Sequence, residues 1–102
     1  MNYPMTLDEK NKITVMLMQA LQGAISANFR MVAISLENPI WKLQFVLAEE
    51  NAIDREEIED IITEFDALLG RFVKYDVETL ISNDKILATE PTTRIVFLRR
   101  ED

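Results

Sequence analysis

The spacing of apolar residues along the chain predicts two amphipathic helices. The first helix has an apolar stripe made of Ile13, Leu17, Ala20, Leu21 and Ala24. The second has a stripe that follows the helical period without a miss: Ile58, Ile61, Ile62, Phe65, Leu68 and Leu69. Thr6 followed by Glu9 predicts a capping box before the first stripe, and Asp54 followed by Glu57 predicts the start of the second helix. We expect Ile53 to pack on Ile58 as a hydrophobic staple, and Gly70 to end that helix.

Four other segments have the composition or the alternation of β-strands. Residues 29–37 are rich in β-forming side chains, and residues 41–47 alternate strictly between apolar and other positions. Asn38 and Pro39 supply the turn between these two strands. Residues 73–81 alternate as well, and residues 94–99 form a short last strand after a loop over residues 83–93.

The order of these elements is α-β-β-α-β-β, which predicts one α+β domain over residues 1–102. Each helix is followed by two strands that read as a hairpin, so we expect a four-stranded antiparallel sheet with both helices on one face. Apolar residues on the opposite sheet face, Met31, Ala33, Val46 and Ala48, have no predicted cover. That open face is a candidate surface for a second subunit or another partner.

The residue inventory excludes several classes of protein. The chain has no cysteine and no histidine, which removes disulfides, thiol nucleophiles, imidazole bases and the usual zinc ligands. Lys10 and Lys12 precede an apolar run that imitates a secretory signal, but Asp8 and Glu9 stand where its positive region belongs. No run reaches membrane-spanning length, so cytoplasmic residence is the expectation. No cofactor site is predicted.

Negative charge is concentrated in one segment of the chain. The formal net charge is −7, and residues 49–66 hold nine carboxylates against the single cation Arg55. Binding to nucleic acid or to anionic lipid needs a cationic surface, so neither is expected. A basic protein is the complementary partner.

The outward face of the second helix is the first candidate for a binding surface. Helical geometry places Glu56 and Asp60 at its centre, with Glu59 and Glu64 beside them. These carboxylates either contact a basic partner or form a solvated face that keeps the protein soluble. They project from one convex surface and lack the spacing of a calcium loop, so no metal site is predicted.

Trp41 and three arginines complete the set of candidates. Trp41 begins the second strand at an apolar position, where it either packs in the core or anchors a partner at the strand edge. The predicted partner-binding residues are Glu56, Glu59, Asp60, Glu64 and Trp41. Arg94, Arg99 and Arg100 are too few to bind nucleic acid, and we expect them to pair with Glu78, Asp76 or Glu37 across neighbouring strands.

Residues 21–32, the strand 41–47, the acidic helix 54–69 and the ending 96–100 together resemble small bacterial immunity proteins. These proteins are encoded beside contact-dependent growth inhibition and related polymorphic toxins. The resemblance implies a cytoplasmic protein, not an enzyme, that binds one toxin domain, often a nuclease, and blocks its active site or substrate entry. It assigns no individual contact residue.

Two other functions remain open from the residues alone. A structural or regulatory subunit would self-associate, as a homodimer for example, through the open sheet face. A small enzyme would have to work with carboxylates only, and would need one of them sheltered in a pocket.

Overall fold

The computed structural model describes residues 5–37, 40–86 and 90–101. The elements are α1 (Leu7–Ala20), β1 (Phe29–Ser35), β2 (Trp41–Leu47), α2 (Ala52–Leu69), β3 (Tyr75–Ile81) and β4 (Thr93–Leu98). The predicted α+β class and the order α-β-β-α-β-β are confirmed, with strand ends shifted by one or two residues. The turn predicted at Asn38 and Pro39 lies outside the described residues.

The two helices begin at side-chain caps. The Glu9 backbone N–H donates to the Thr6 hydroxyl at 3.1 Å, which confirms the cap predicted for α1. The start predicted for α2 is wrong, because Asn51 is the cap and accepts from the Asp54 N–H at 3.0 Å. Ile53 therefore lies inside the helix, 70% exposed, and is not a staple. Gly70 ends α2 as predicted, at a φ of 67° that suits glycine.

The sheet is mixed, with the strand order β3-β2-β1-β4. The β1–β2 hairpin is antiparallel as predicted, and β4 pairs antiparallel with β1. The predicted pairing of β3 with β4 is wrong, because β3 pairs parallel with β2 and the two strands lie at opposite sheet edges. Helix α2 carries the chain back to the end of the sheet where β2 began, so β3 runs in the same direction as β2.

Both helices pack on one face of this sheet. Their buried residues belong to a single core together with the inward side chains of the central strands. Phe29, Phe45, Phe65, Leu17, Ile34, Leu43, Leu47, Ile61 and Val32 are its largest fully buried side chains. The predicted arrangement of two helices on one face is therefore confirmed, because residues of α1 and α2 share this core.

The opposite, open sheet face carries a smaller apolar cluster. Met31, Ala33 and Val46 lie there, as the alternation predicted, but they are buried rather than uncovered, and Ile86 packs against them. Ile86 belongs to the segment that follows β3 and leads towards β4 at the far edge. Ile86 therefore covers part of the open face.

Candidate functional site

Three of the nine carboxylates in residues 49–66 have partners within the protein. Asp54 is 4% exposed and accepts hydrogen bonds from Ser26 Oγ and Asn28 Nδ2, both at 2.9 Å. Glu50 binds Arg55 through two hydrogen bonds of 2.8 and 2.9 Å. Asp66 accepts the Tyr75 hydroxyl at 2.6 Å. These three acids therefore take part in contacts within the fold.

The remaining acids of the segment form no ion pair or side-chain hydrogen bond with any residue in the described ranges. They are Glu49, Glu56, Glu57, Glu59, Asp60 and Glu64. Like charges four residues apart repel by about 0.2–0.5 kcal/mol in a helix. The sequence tolerates this repulsion because Ile58, Ile61 and Phe65 bury the other side of α2. A cationic partner would relieve it.

Glu56, Asp60 and Glu64 follow one another at intervals of four residues, and we call these three the carboxylate ridge. All three are exposed. At about 100° per residue they form one row on the side of α2 away from the sheet. Glu59 is exposed too, but it is rotated by about 100° from Asp60, to the side where Asp66 meets Tyr75. Because Glu59 lies three residues after Glu56, it neighbours the ridge at that end, and the four predicted acids share the exposed side of α2.

The ridge borders a shallow cleft between α2 and the end of α1. The cleft has a volume of about 380 Å³ and is lined on the α2 side by Glu57, Asp60 and Glu64. Gln19 and Gln22 line it from the α1 side. Glu57 was not among the predicted site residues, although its place three residues before Asp60 put it on the same side of the helix. Which side of α2 would meet α1 was not visible in the sequence.

Trp41 packs in the core. It is 7% exposed, and its ring stacks on Tyr75 with centroids 6.4 Å apart at an interplanar angle of 22°. Of the two alternatives given for Trp41, the structure shows core packing. A role of Trp41 in binding a partner stays a prediction, and little of its surface is exposed to make such a contact. Burial, followed by the hydrogen bond to Asp66, raises the pKa of Tyr75 above its usual range, so the phenol stays protonated as donor.

A second, wider groove of about 790 Å³ lies at one end of the open sheet face, and its lining includes Arg30, Arg99 and Glu101. Arg30 is 3% exposed and donates to both Glu101 carboxylate oxygens at 2.7 Å. Its third nitrogen, Nη1, donates to the Ser82 carbonyl. The Arg30 hydrogen bond lowers the pKa of Glu101 to about 2, and a hydrogen bond from Arg99 adds to this effect. This network ties the C-terminal segment to β1.

The partners predicted for Arg94 and Arg99 are wrong. Arg94 donates to Asn11 Oδ1 at 2.7 Å, and Arg99 binds Glu101. The predicted acceptors Glu37 and Glu78 instead pair with lysines of other elements, Lys10 and Lys42, each at 3.2 Å. For Glu78 and Asp76 the reason is the sheet order, because β3 and β4 lie at opposite edges and their side chains cannot meet. Glu37 follows β1, which is the neighbour of β4, but it pairs with Lys10 of α1.

Three further observations bear on metal binding, membrane crossing and the buried acid of α2. Across residues 5–37, 40–86 and 90–101, no three or more acidic side chains come together in a way that would hold a metal ion. Neither α1 nor α2 is long and apolar enough to cross a membrane. Asp54, the buried acid of α2, has its carboxylate occupied by Ser26 and Asn28.

A family model described as MafI2 immunity protein matches residues 10–101. The match includes most of α1 and every later helix and strand. A search of curated proteins finds no match.

Proposed function

The chain belongs to the MafI2 immunity protein family, and from this we propose that it neutralises a cognate toxin domain by binding it and masking its active or substrate-binding site. The family match over residues 10–101 carries the proposal, because it spans nearly all of the described fold rather than one motif. The resemblance found in the sequence itself is thereby confirmed at the level of the family.

In this proposal the protein acts by contact and performs no chemistry of its own. The absence of histidine and cysteine from the sequence supports a binding role, because the imidazole base and the thiol nucleophile are both missing. The position of Asp54 supports it too. A catalytic carboxylate must reach its substrate, whereas Asp54 is 4% exposed and its oxygens face Ser26 and Asn28.

The partner surface in this proposal is basic, and a toxin that binds nucleic acid fits it. Such a toxin has a cationic substrate site, since it must contact phosphates. The carboxylate ridge would face that site and compete with the phosphates for its lysines and arginines. Support for this step comes from the exposure of Glu56, Asp60 and Glu64 and from their lack of partners among the described residues.

The test uses the purified toxin domain encoded by the neighbouring reading frame, inactivated so that it can be produced. Glu56→Gln, Asp60→Asn and Glu64→Gln are combined in one variant, and association rates are measured at low and high ionic strength. We expect roughly tenfold slower association at low salt, with the difference shrinking as salt screens the charges. The matched control, Glu9→Gln with Asp76→Asn and Glu90→Gln, removes equal charge from exposed sites elsewhere.

The outcomes separate the function from the role of the ridge. If the wild-type protein does not bind the toxin domain, the proposed function is wrong. If wild type and ridge variant associate at the same rate at low salt, the ridge only keeps the protein soluble. Equal slowing in the ridge and control variants would show that net charge matters and its position does not.

Self-association through the open sheet face is a second candidate. Exposed Ile95 and Leu98 on β4 favour it, because they extend the apolar cluster of that face to the sheet edge. Light scattering of the purified protein over a range of concentrations tests it directly. A dimer that is lost in a variant carrying Ile95→Glu and Leu98→Glu would support this candidate, and a monomer at all concentrations would reject it.

A further inference from the structure

The C-terminal half of α1 exposes a surface without charge. No acidic or basic residue occurs between Lys12 and Arg30. Val15 is 50% exposed and Met18 is 47% exposed, and they lie three residues apart on the outward side of the helix. Gln19 and Gln22 are exposed next to them. In a chain where more than a quarter of the residues are charged, this is an unusual face to leave in water.

This uncharged face adjoins the carboxylate ridge. Gln19 and Gln22 line the same cleft as Asp60 and Glu64, so the exposed side of α1 and the acidic side of α2 meet along it. Lys12 lies six residues before Met18, and its Nζ pairs with Asp8 Oδ2 at 3.3 Å. The combined surface is thus apolar and amide-bearing in the middle and acidic along the α2 border. Arg94 of β4 lies at its other border, where it donates to Asn11 and Thr14 of α1.

We infer that Val15, Met18, Gln19, Gln22, Asp60 and Glu64 form one docking surface for a cationic protein domain, with Val15 and Met18 at its centre. The inference rests on the proposed function, which identifies that domain as the toxin. Protein interfaces have cores depleted of charge and enriched in methionine and aromatic residues, and charged residues at the rim. The two central side chains supply apolar contact, and the carboxylates select a basic partner and speed its approach.

The open sheet face is the competing surface, and its charge argues against it for this partner. It also exposes apolar side chains, with Ile95 at 43% and Leu98 at 56%. Its groove, however, is lined by four cations, Arg30, Lys85, Arg99 and Arg100, against the one carboxylate Glu101. A cationic domain would be attracted to the ridge side and repelled from the sheet side.

The experiment compares two variants that receive the same chemical change at similar exposure. One carries Val15→Glu and Met18→Glu, and the control carries Ile95→Glu and Leu98→Glu. Both gain the same negative charge, so the long-range attraction to a cationic toxin changes equally and only the position of the change differs. Dissociation constants are measured with the inactivated toxin domain from the neighbouring reading frame, after circular dichroism has shown that each variant is folded.

We expect the α1 variant to bind roughly 30-fold more weakly than wild type and the sheet variant to bind within about threefold of it. The reverse pattern, equal weakening of both variants, or no weakening in either would overturn the inference and leave the proposed function intact. Failure of the wild-type protein to bind would overturn both.

A second measurement avoids substitution and so does not depend on folding of a variant. Hydrogen peroxide oxidises exposed methionine to the sulfoxide, and Met18 is accessible in the free protein. We expect the inactivated toxin domain to slow Met18 oxidation at least roughly fivefold, as burial at an interface core excludes the oxidant. An unchanged rate in the complex would show that α1 stays in solvent and would overturn the inference.

Discussion

Phe65 lies where α2 meets the sheet, and its side chain is fully buried. Its ring packs edge-on against Tyr75, with centroids 5.8 Å apart at 64°. We expect Phe65→Ala to lower the free energy of unfolding by about 3–5 kcal/mol, because it removes buried contacts and leaves a cavity that α2 cannot close. Urea denaturation at equilibrium measures this loss.

Phe72 provides the control at the same scale. It is 93% exposed, so Phe72→Ala should change stability by no more than about 0.5 kcal/mol. A loss below about 1 kcal/mol for Phe65→Ala would mean that the middle of the α2 stripe contributes little to the core.

At the scale of the element, α2 depends on the cap that begins it. Asn51 accepts the Asp54 N–H, and this leaves the Asp54 carboxylate free to bind Ser26 and Asn28 in the segment before β1. We expect Asn51→Ala to destabilise the protein by about 1 kcal/mol, whereas Asn51→Asp keeps an oxygen acceptor and most of the stability. Thermal unfolding is measured for the wild type and both variants. If Asn51→Ala unfolds at the same temperature as wild type, Asn51 does not act as the cap.

At the scale of the whole molecule, the contact of Arg30 with Glu101 joins the C-terminal segment to β1 and to the end of β3. The pKa of Glu101 falls from 4.5 to about 2, chiefly because it accepts hydrogen bonds from Arg30. A carboxyl whose pKa is lower in the folded state stabilises that state above its unfolded pKa. This stabilisation is therefore complete above about pH 4.5 and is lost as the pH falls towards 2.

The acid sensitivity of the protein tests this contact. We expect Glu101→Gln to lower the melting temperature near neutral pH and to flatten its decline between about pH 4.5 and pH 2. Glu59→Gln, at an exposed position without a partner in the described chain, is the control and should leave the curve unchanged. If Glu101→Gln melts in parallel with wild type across this range, the contact does not contribute to stability.

Sequence by itself determined the two helices, the four strands, the side each helix buries and the excess of acid on α2. These features follow from repeats a few residues long, since a helix or strand must place its apolar side chains on one side to bury them. It also indicated the family, which the match over residues 10–101 confirms.

Only the tertiary structure decided where β3 and β4 lie in the sheet and which charged groups have partners. The parallel pairing of β3 with β2 and the contact of Arg30 with Glu101 join residues far apart in the chain, and no local pattern records them. The same holds for Asp54, which counts as one more acid in the sequence but is buried against Ser26 and Asn28. The exposed acids of α2 and the uncharged side of α1 form one surface only in the folded chain. Folding decides which side chains are buried and which stay in solvent.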